Sequence, residues 1–251
     1  MVMLVGLAFF GILVGFSSGF FGIGGGTILV PALIYFGYDI KMAIGISVMQ
    51  MIFSSMFGSY HNHKAGSLAL KSGLILGLGS FIGAAFSGMI VDAMPHLALL
   101  ILFAVILLLS IYKMFTASLE PQLCPNESTF LLLFIGVFVG AISISTGTGG
   151  AIFLTPALVG FLGWDIKKAV GTTLFFVIFG SISGFISLSA HGYVDYAVGA
   201  AIGIGSVMGV YFGVKLSHRI DKKMQKRALL ILYTVMFLLT FNKILSEMNI
   251  L

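Results

Sequence analysis

The chain has 251 residues, 59% hydrophobic and 8% charged, with a mean hydropathy of +1.15 and a formal net charge of +5. Soluble domains carry about 25% charged residues, so this composition excludes a soluble core, and a positive balance confined to loops excludes nucleic-acid binding as its meaning. Its one cysteine, Cys124, excludes an internal disulfide and leaves no cysteine metal set.

Apolar runs long enough to cross a bilayer, roughly 17–25 residues each, fill most of the length. They lack the period-two alternation of a barrel, so the expectation is an all-α, polytopic membrane protein. The first residues, MVMLVGLAFFGILVG, have no positive n-region and are read as part of the fold.

Residues 3–18 read as a helix that runs into GFFGIGGGTILVP, residues 19–31. Gly22, Gly24, Gly25 and Gly26 each cost roughly 1 kcal/mol against alanine inside a helix. They permit positive φ and close approach to the backbone instead. The predicted object is a helix, a break, and a short second helix over 27–37 with Pro31 in its early part. Asp39 then reads as the N-cap of a helix over 43–60, followed by His61 and His63 in a polar loop. Further helices are predicted over 70–91 and 97–115, the latter as a lipid-facing wall. Residues 117–129 form a polar linker between a first repeat, 1–116, and a second, 130–251.

The second half repeats the first. Gly11, Gly15, Gly22, Gly24, Gly25 and Pro31 recur as Gly136, Gly140, Gly147, Gly149, Gly150 and Pro156 at a spacing of 125. From GYDIKMAIG, matched by GWDIKKAVG, the spacing becomes 126 and carries through Gly58, Gly73, Gly77, Gly79 and Gly83. Matches this dense at one spacing mark an internal repeat.

Charge placement orients the halves. If each glycine-broken element dips in and returns, each half has three full crossings and the Lys and Arg residues divide 11 to 2 between the faces. If it crosses, each half has four crossings and the division is 9 to 4. Both obey the positive-inside rule, and the first obeys it better. Equivalent loops also exchange charge: Lys64 and Lys71 face SAHGYVDY, which has neither Lys nor Arg, while VDAMPH faces the basic KLSHRIDKKMQKR. The expectation is an inverted repeat of two re-entrant hairpins and six crossings, with both termini outside the plasma membrane.

Inverted repeats with broken helices place a substrate site near the bilayer midplane. Two helix N-termini near Thr27 and Ile152 would bring unpaired N–H groups and partial positive charge to that point, suited to an anion. The candidate substrate-binding residues are Gly22, Gly24, Gly25, Gly26 and Thr27, then Ser47 and Gln50 on the next helix. Their second-half companions are Thr146, Gly147, Thr148, Gly149 and Gly150, with Ser145 nearby, and Thr172 and Thr173. Pro31 and Pro156 are candidate gating and helix-break positions. The Ser and Thr residues could equally cap the new helices. No Lys, Arg, Asp or Glu lies deep in a predicted crossing, which favours export driven by membrane potential over proton coupling.

The paired motifs GFFGIGGGTILVPAL and STGTGGAIFLTPAL, with KMAIGIS and KKAVGTT, resemble the TauE/SafE family of sulfite and organosulfonate exporters. The likeness covers nearly the whole chain. It departs at Ala151, in place of a third consecutive glycine, and at Ile46, where the family commonly has Thr. It implies a bacterial inner-membrane transporter for a small sulfur-containing anion, without cofactor, whose partners are that anion and the bilayer. Import or channel flux is the alternative within that class. An intramembrane enzyme lacks support, since there is no GxSG or HExxH motif, and Asp39 and Asp165 each sit at a helix start beside Lys. A membrane scaffold would not need duplicated breaks.

Overall fold

The computed structural model describes residues 2–116 and 128–248. Most of the expected linker, and Cys124 with it, lies outside the described residues. What is described is helical: α1 (Val2–Phe21), α2 (Gly26–Tyr35), α3 (Ile40–Lys64), α4 (Leu70–Ala84), α5 (Ser87–Ala93) and α6 (His96–Thr116). There follow α7 (Thr129–Ser145), α8 (Ala151–Gly160), α9 (Ile166–Ala190), α10 (Tyr196–Arg219) and α11 (Lys222–Glu247). Five of these, α3, α6, α9, α10 and α11, are long and apolar enough to cross a membrane, and the bent pair α4–α5 makes a sixth if it counts as one span.

Two polar clusters mark opposite ends of the molecule. At one, His96 lies 3.2 Å from Asp39 through Nδ1 and 3.0 Å from Glu247 through Nε2. Lys41 Nζ donates there to the Asp92 carbonyl at 3.1 Å, and Tyr193 donates its hydroxyl to the Asp92 carboxylate. At the other end Lys222 pairs with Asp165, Lys167 Nζ donates to the His218 carbonyl, and Lys226 Nζ donates to the Phe115 carbonyl. These contacts fix directions. α3, α6 and α10 run from the Asp39 end to the Asp165 end, while α4–α5, α9 and α11 run the other way.

The two aspartates act as N-caps. Asp39 accepts from Lys41 N at 2.8 Å, and Asp165 accepts from Lys167 N at 2.9 Å and Lys168 N at 3.4 Å. They sit at opposite ends, so Asp39 and Asp165 do not pair with each other. Burial would raise the Asp165 pKa, but the Lys222 side chain and the two backbone N–H groups prevail and hold it below the ordinary carboxylate value.

Glycines set how the helices touch. α1 lies along α10, with Gly11, Gly15 and Gly19 against the backbone of Ile202, Ser206 and Val210. Gly205, Gly209 and Gly213 return the contact to Ala8, Ile12 and Phe16. A Cβ at any of these would press into the facing backbone, so the spacing of four small residues builds a close helix pair. α7 and α4 pair the same way, with Gly136 and Gly140 on Leu76 and Ser80 and with Gly79 and Gly83 on Leu133 and Val137. The first helix of each half therefore packs on the other half. Gly73 and Gly77 face the rings of Phe175 and Phe179, and serve packing.

Three expectations change. The helix expected over 70–91 is two helices bent by 41° at Ala85 and Phe86. Ser183 donates to the Phe81 carbonyl at 2.7 Å, Ser187 donates to the Ala85 carbonyl at 2.8 Å, and Gly88 N donates to Ser187 Oγ at 3.0 Å. Those α9 hydroxyls satisfy the backbone groups that the bend frees. At the repeat spacing their places are taken by Phe57 and His61, which offer no hydroxyl, and α10 stays unbroken. Second, His61 and His63 lie in the last turn of α3 rather than in a loop, and His218 lies in the last turn of α10. Third, α6 is no plain outer wall: Leu99, Leu100, Phe103, Leu107 and Met114 are buried, while Ile101, Leu108, Tyr112 and Phe115 are exposed.

Candidate functional site

Each of the first helices of the two halves ends in a short glycine-rich break. After α1, Gly22, Gly24 and Gly25 adopt φ of +74°, +68° and +92°; after α7, Gly147, Gly149 and Gly150 adopt +68°, +74° and +88°. Side chains with a Cβ are strained in this left-handed region, so the position-for-position match reflects one backbone path used twice. The chain then turns back. Phe10 and Phe36 meet edge-on with centroids 6.0 Å apart, and Phe134 and Phe138 of α7 share a cleft with Phe161. Each element is thus a hairpin.

Gly25 and Gly150 are the residues before α2 and α8, and neither helix has a side-chain cap. Ile28 and Leu29 both donate to the Gly25 carbonyl, and Phe153 and Leu154 both donate to that of Gly150. The N–H groups ahead of them belong to a first turn, which has no acceptor within its helix. Capping by Ser or Thr, the simpler reading of these hydroxyls, is not what the structure uses.

The two breaks meet at the middle of the α3–α9 pair. A Cβ on Gly26 would overlap the Gly147 carbonyl oxygen, and one on Gly149 would lie 2.6 Å from Met51 Sδ and 3.5 Å from the Ile23 carbonyl. α3 holds both breaks: Ser47 Oγ donates to the Gly147 carbonyl at 2.9 Å, and Ser54 Oγ donates to the Gly24 carbonyl at 2.9 Å. Each such bond contributes about 0.5–1.5 kcal/mol. Thr27, Ser47 and Gln50 are 0% exposed, so the crossing is closed to both ends in this conformation.

Gln50 is the distinctive side chain. Its Oε1 and Nε2 are buried and have no hydrogen-bond partner, and a Cβ on Gly25 would lie 2.7 Å from Oε1. Thr27 Oγ1 and Ser18 Oγ, also buried, have none either. Leaving a buried polar group unpaired costs about 1–3 kcal/mol, so this cluster is expensive unless something else uses it. At the repeat spacing Gln50 corresponds to Phe176, whose ring packs against Gly150. The crossing is therefore polar at the first break and aromatic at the second.

The remaining candidates divide. Thr146 and Thr148 lie 3.3 Å apart, and both donate to the Ser143 carbonyl at 3.1 Å across the second break. Ser145 donates back to the Ala141 carbonyl, and Thr173 to that of Ala169 with Thr155 3.3 Å away. Thr172 points elsewhere: its Oγ1 accepts from Ala69 N, at the start of α4. Pro31 and Pro156 lie inside α2 and α8, and the chain breaks at the glycines before them. Ser18, Met51, Ser54 and Phe176 were missed. Ser47, Gln50, Met51 and Ser54 share one helix face at i, i+3, i+4 and i+7, a signal that could have found the last two.

The buried polar side chains among the described residues are Ser, Thr, Asn and Gln, all uncharged. No group of three His, Cys, Asp or Glu among them could hold a metal ion. What the crossing offers is dipoles: two helix N-termini, each equivalent to roughly half a positive charge, with a carboxamide and hydroxyls between them. Such an arrangement can hold an anion without neutralising it.

Comparison with known proteins agrees in kind. The family described as "Sulfite exporter TauE/SafE" matches residues 7–240. A probable membrane transporter protein of Bacillus subtilis, YdhB, is 31% identical over 86% of this chain and 91% of its own length. Another from Bacillus subtilis, YunE, is 24% identical over 96% and 97%, and one from Methanocaldococcus jannaschii, MJ0441, is 26% identical over 85% and 86%. No solved structure matches the chain.

Proposed function

Because the chain belongs to the TauE/SafE family of membrane transporters, we propose that it exports a small oxyanion, sulfite or an organosulfonate, through the crossing of its two glycine breaks. The observation that carries this reading is the unpartnered Gln50 carboxamide, buried beside the left-handed Gly25 at the start of α2. With Thr27 and the first-turn N–H groups it supplies several donors for an oxyanion and no full charge. Binding of that kind is weak enough to release.

The opposed directions of α3 and α9, of α4–α5 and α10, and of α6 and α11 support an inverted repeat of 1–116 and 130–251. The two hairpins then enter from opposite sides as re-entrant elements, in place of a fourth crossing per half. Rocking of one hairpin against the other would open the closed crossing to each side in turn. The Asp165 end, which gathers Lys113, Lys167, Lys222 and Lys226, is the cytoplasmic one on the positive-inside rule. Single cysteines at 64, 167 and 222 are expected to resist an impermeant maleimide in intact cells. Strong external labelling at 64 would restore the four-crossing arrangement.

Export needs no coupling ion here, since a negative-inside potential pushes an anion out by about 2.3 kcal/mol per charge per 100 mV. Flux in proteoliposomes, with sulfite, sulfonates, carboxylates and halides under an imposed potential, tests this directly. Sulfite or sulfonate efflux is expected to rise with potential and to ignore a pH gradient at clamped potential. Saturable uptake against the potential would instead favour import.

A further inference from the structure

An open cleft of about 340 Å³ lies between α3 and α10 at the Asp165 end, lined by His61, Tyr211, Lys215, His218 and Arg219 above an apolar floor at Val214. None of its described lining residues is acidic. The Tyr211 ring organises it, with His61 edge-on at 5.2 Å and Lys215 Nζ 5.7 Å from the ring centroid. His218 is fixed as well. Asn62 donates Nδ2 to the Gly58 carbonyl at 3.0 Å, so its Oδ1 is the acceptor that faces His218 Nε2 at 3.0 Å.

The repeat supplies an internal control. At a spacing of 126, Lys215, His218 and Arg219 correspond to Met89, Asp92 and Ala93, and His61 corresponds to Ser187. There α5 lies against α9, with Gly88 N donating to Ser187 Oγ, and Tyr193 donates its hydroxyl to the Asp92 carboxylate. One end of the duplicated scaffold has an open cleft with Lys215 and Arg219, and the corresponding place at the other end carries the Asp92 carboxylate. The cations of the cleft are Lys215 and Arg219, one turn apart on α10, where like charges repel unless an anion lies between them.

We propose that this cleft is a binding site for a tetrahedral oxyanion, separate from the break crossing and independent of the transport route argued above. Lys215 and Arg219 would hold the anion by charge-assisted hydrogen bonds, the guanidinium in bidentate fashion. Two sources present this chemistry at a membrane surface: a free sulfate- or sulfonate-like anion, and the phosphate of an anionic lipid headgroup.

The test uses the purified full chain with two probes. Inorganic sulfate is titrated by thermal shift at constant ionic strength set with chloride, and phosphatidylglycerol is titrated by native mass spectrometry. In a Lys215→Gln, Arg219→Gln variant the half-saturating concentration of one probe is expected to rise at least roughly tenfold, through loss of the lysine bond and the guanidinium pair at an open, solvent-screened site. Lys223→Gln, outside the cleft, is expected to leave it unchanged. A response confined to sulfate identifies a free anion, and one confined to the lipid identifies a headgroup. If the double variant does not fold, Arg219→Gln alone is expected to weaken binding several-fold. Equal affinity for both probes in wild type and cleft variants, or equal loss in Lys223→Gln, would overturn the proposal.

Discussion

Gln50→Leu is expected to give a protein that melts at higher temperature than the wild type and carries almost no anion. The carboxamide is fully buried with neither atom hydrogen-bonded, so an apolar side chain of similar volume removes an unsatisfied group worth about 1–3 kcal/mol. The same change deletes the carboxamide, and with it the Nε2 donor, beside the start of α2, and initial flux per folded protein should fall at least about tenfold, the worth of one hydrogen bond to a charged partner. Stability and activity moving in opposite directions is the mark of a residue kept for function. A variant that is less stable and still transports would assign Gln50 to packing, and the crossing would lose its claim to the anion.

The second large effect belongs to the glycines. Gly25→Val and Gly150→Val each put a β-branched residue at a left-handed φ, and the new side chain would press on Gln50 and Val14 or on Phe176. Flux is expected to vanish in both. Gly26→Ala is the more informative change, because Gly26 has ordinary helical backbone and alanine adds one methyl with no conformational strain. That methyl would overlap the Gly147 carbonyl oxygen and hold the hairpins apart. Initial flux measured beside an unfolding curve should show Gly26→Ala folded and impaired. Thr27→Val, which removes a single hydroxyl, should be milder. Wild-type flux in a folded Gly25→Val, Gly150→Val double variant would rule out the breaks as the anion site.

What could be read from the chain follows from how local each cause is. The breaks were legible because positive φ is a property of glycine itself, and Gly22, Gly24 and Gly25 recur as Gly147, Gly149 and Gly150 with the same φ. The N-caps were legible because Asp39 and Asp165 bond to N–H groups two or three residues on. The bend at Ala85 and Phe86 was not. Its freed carbonyls are satisfied by Ser183 and Ser187, about a hundred positions away, and nothing near residue 85 announces them. Thr172 misled for the same reason, since its acceptor duty to Ala69 N comes from another helix. Ser54 was within reach, three and seven positions after Met51 and Ser47.

The pairing of α1 with α10 has a consequence for how the protein is made. The partners of Gly11, Gly15 and Gly19 are Ile202, Ser206 and Val210, each 191 residues later in the chain. At about 5–20 residues per second, α1 waits on the order of 10–40 s before its partner exists. Through that interval the stripe of Gly11, Gly15 and Gly19 lacks the protein surface that covers it. Contacts this distant in sequence also form slowly. Newly made α1 therefore depends on the insertion machinery to shelter it, and a ribosome stalled before α10 would leave an orphan hairpin for the quality-control proteases to find.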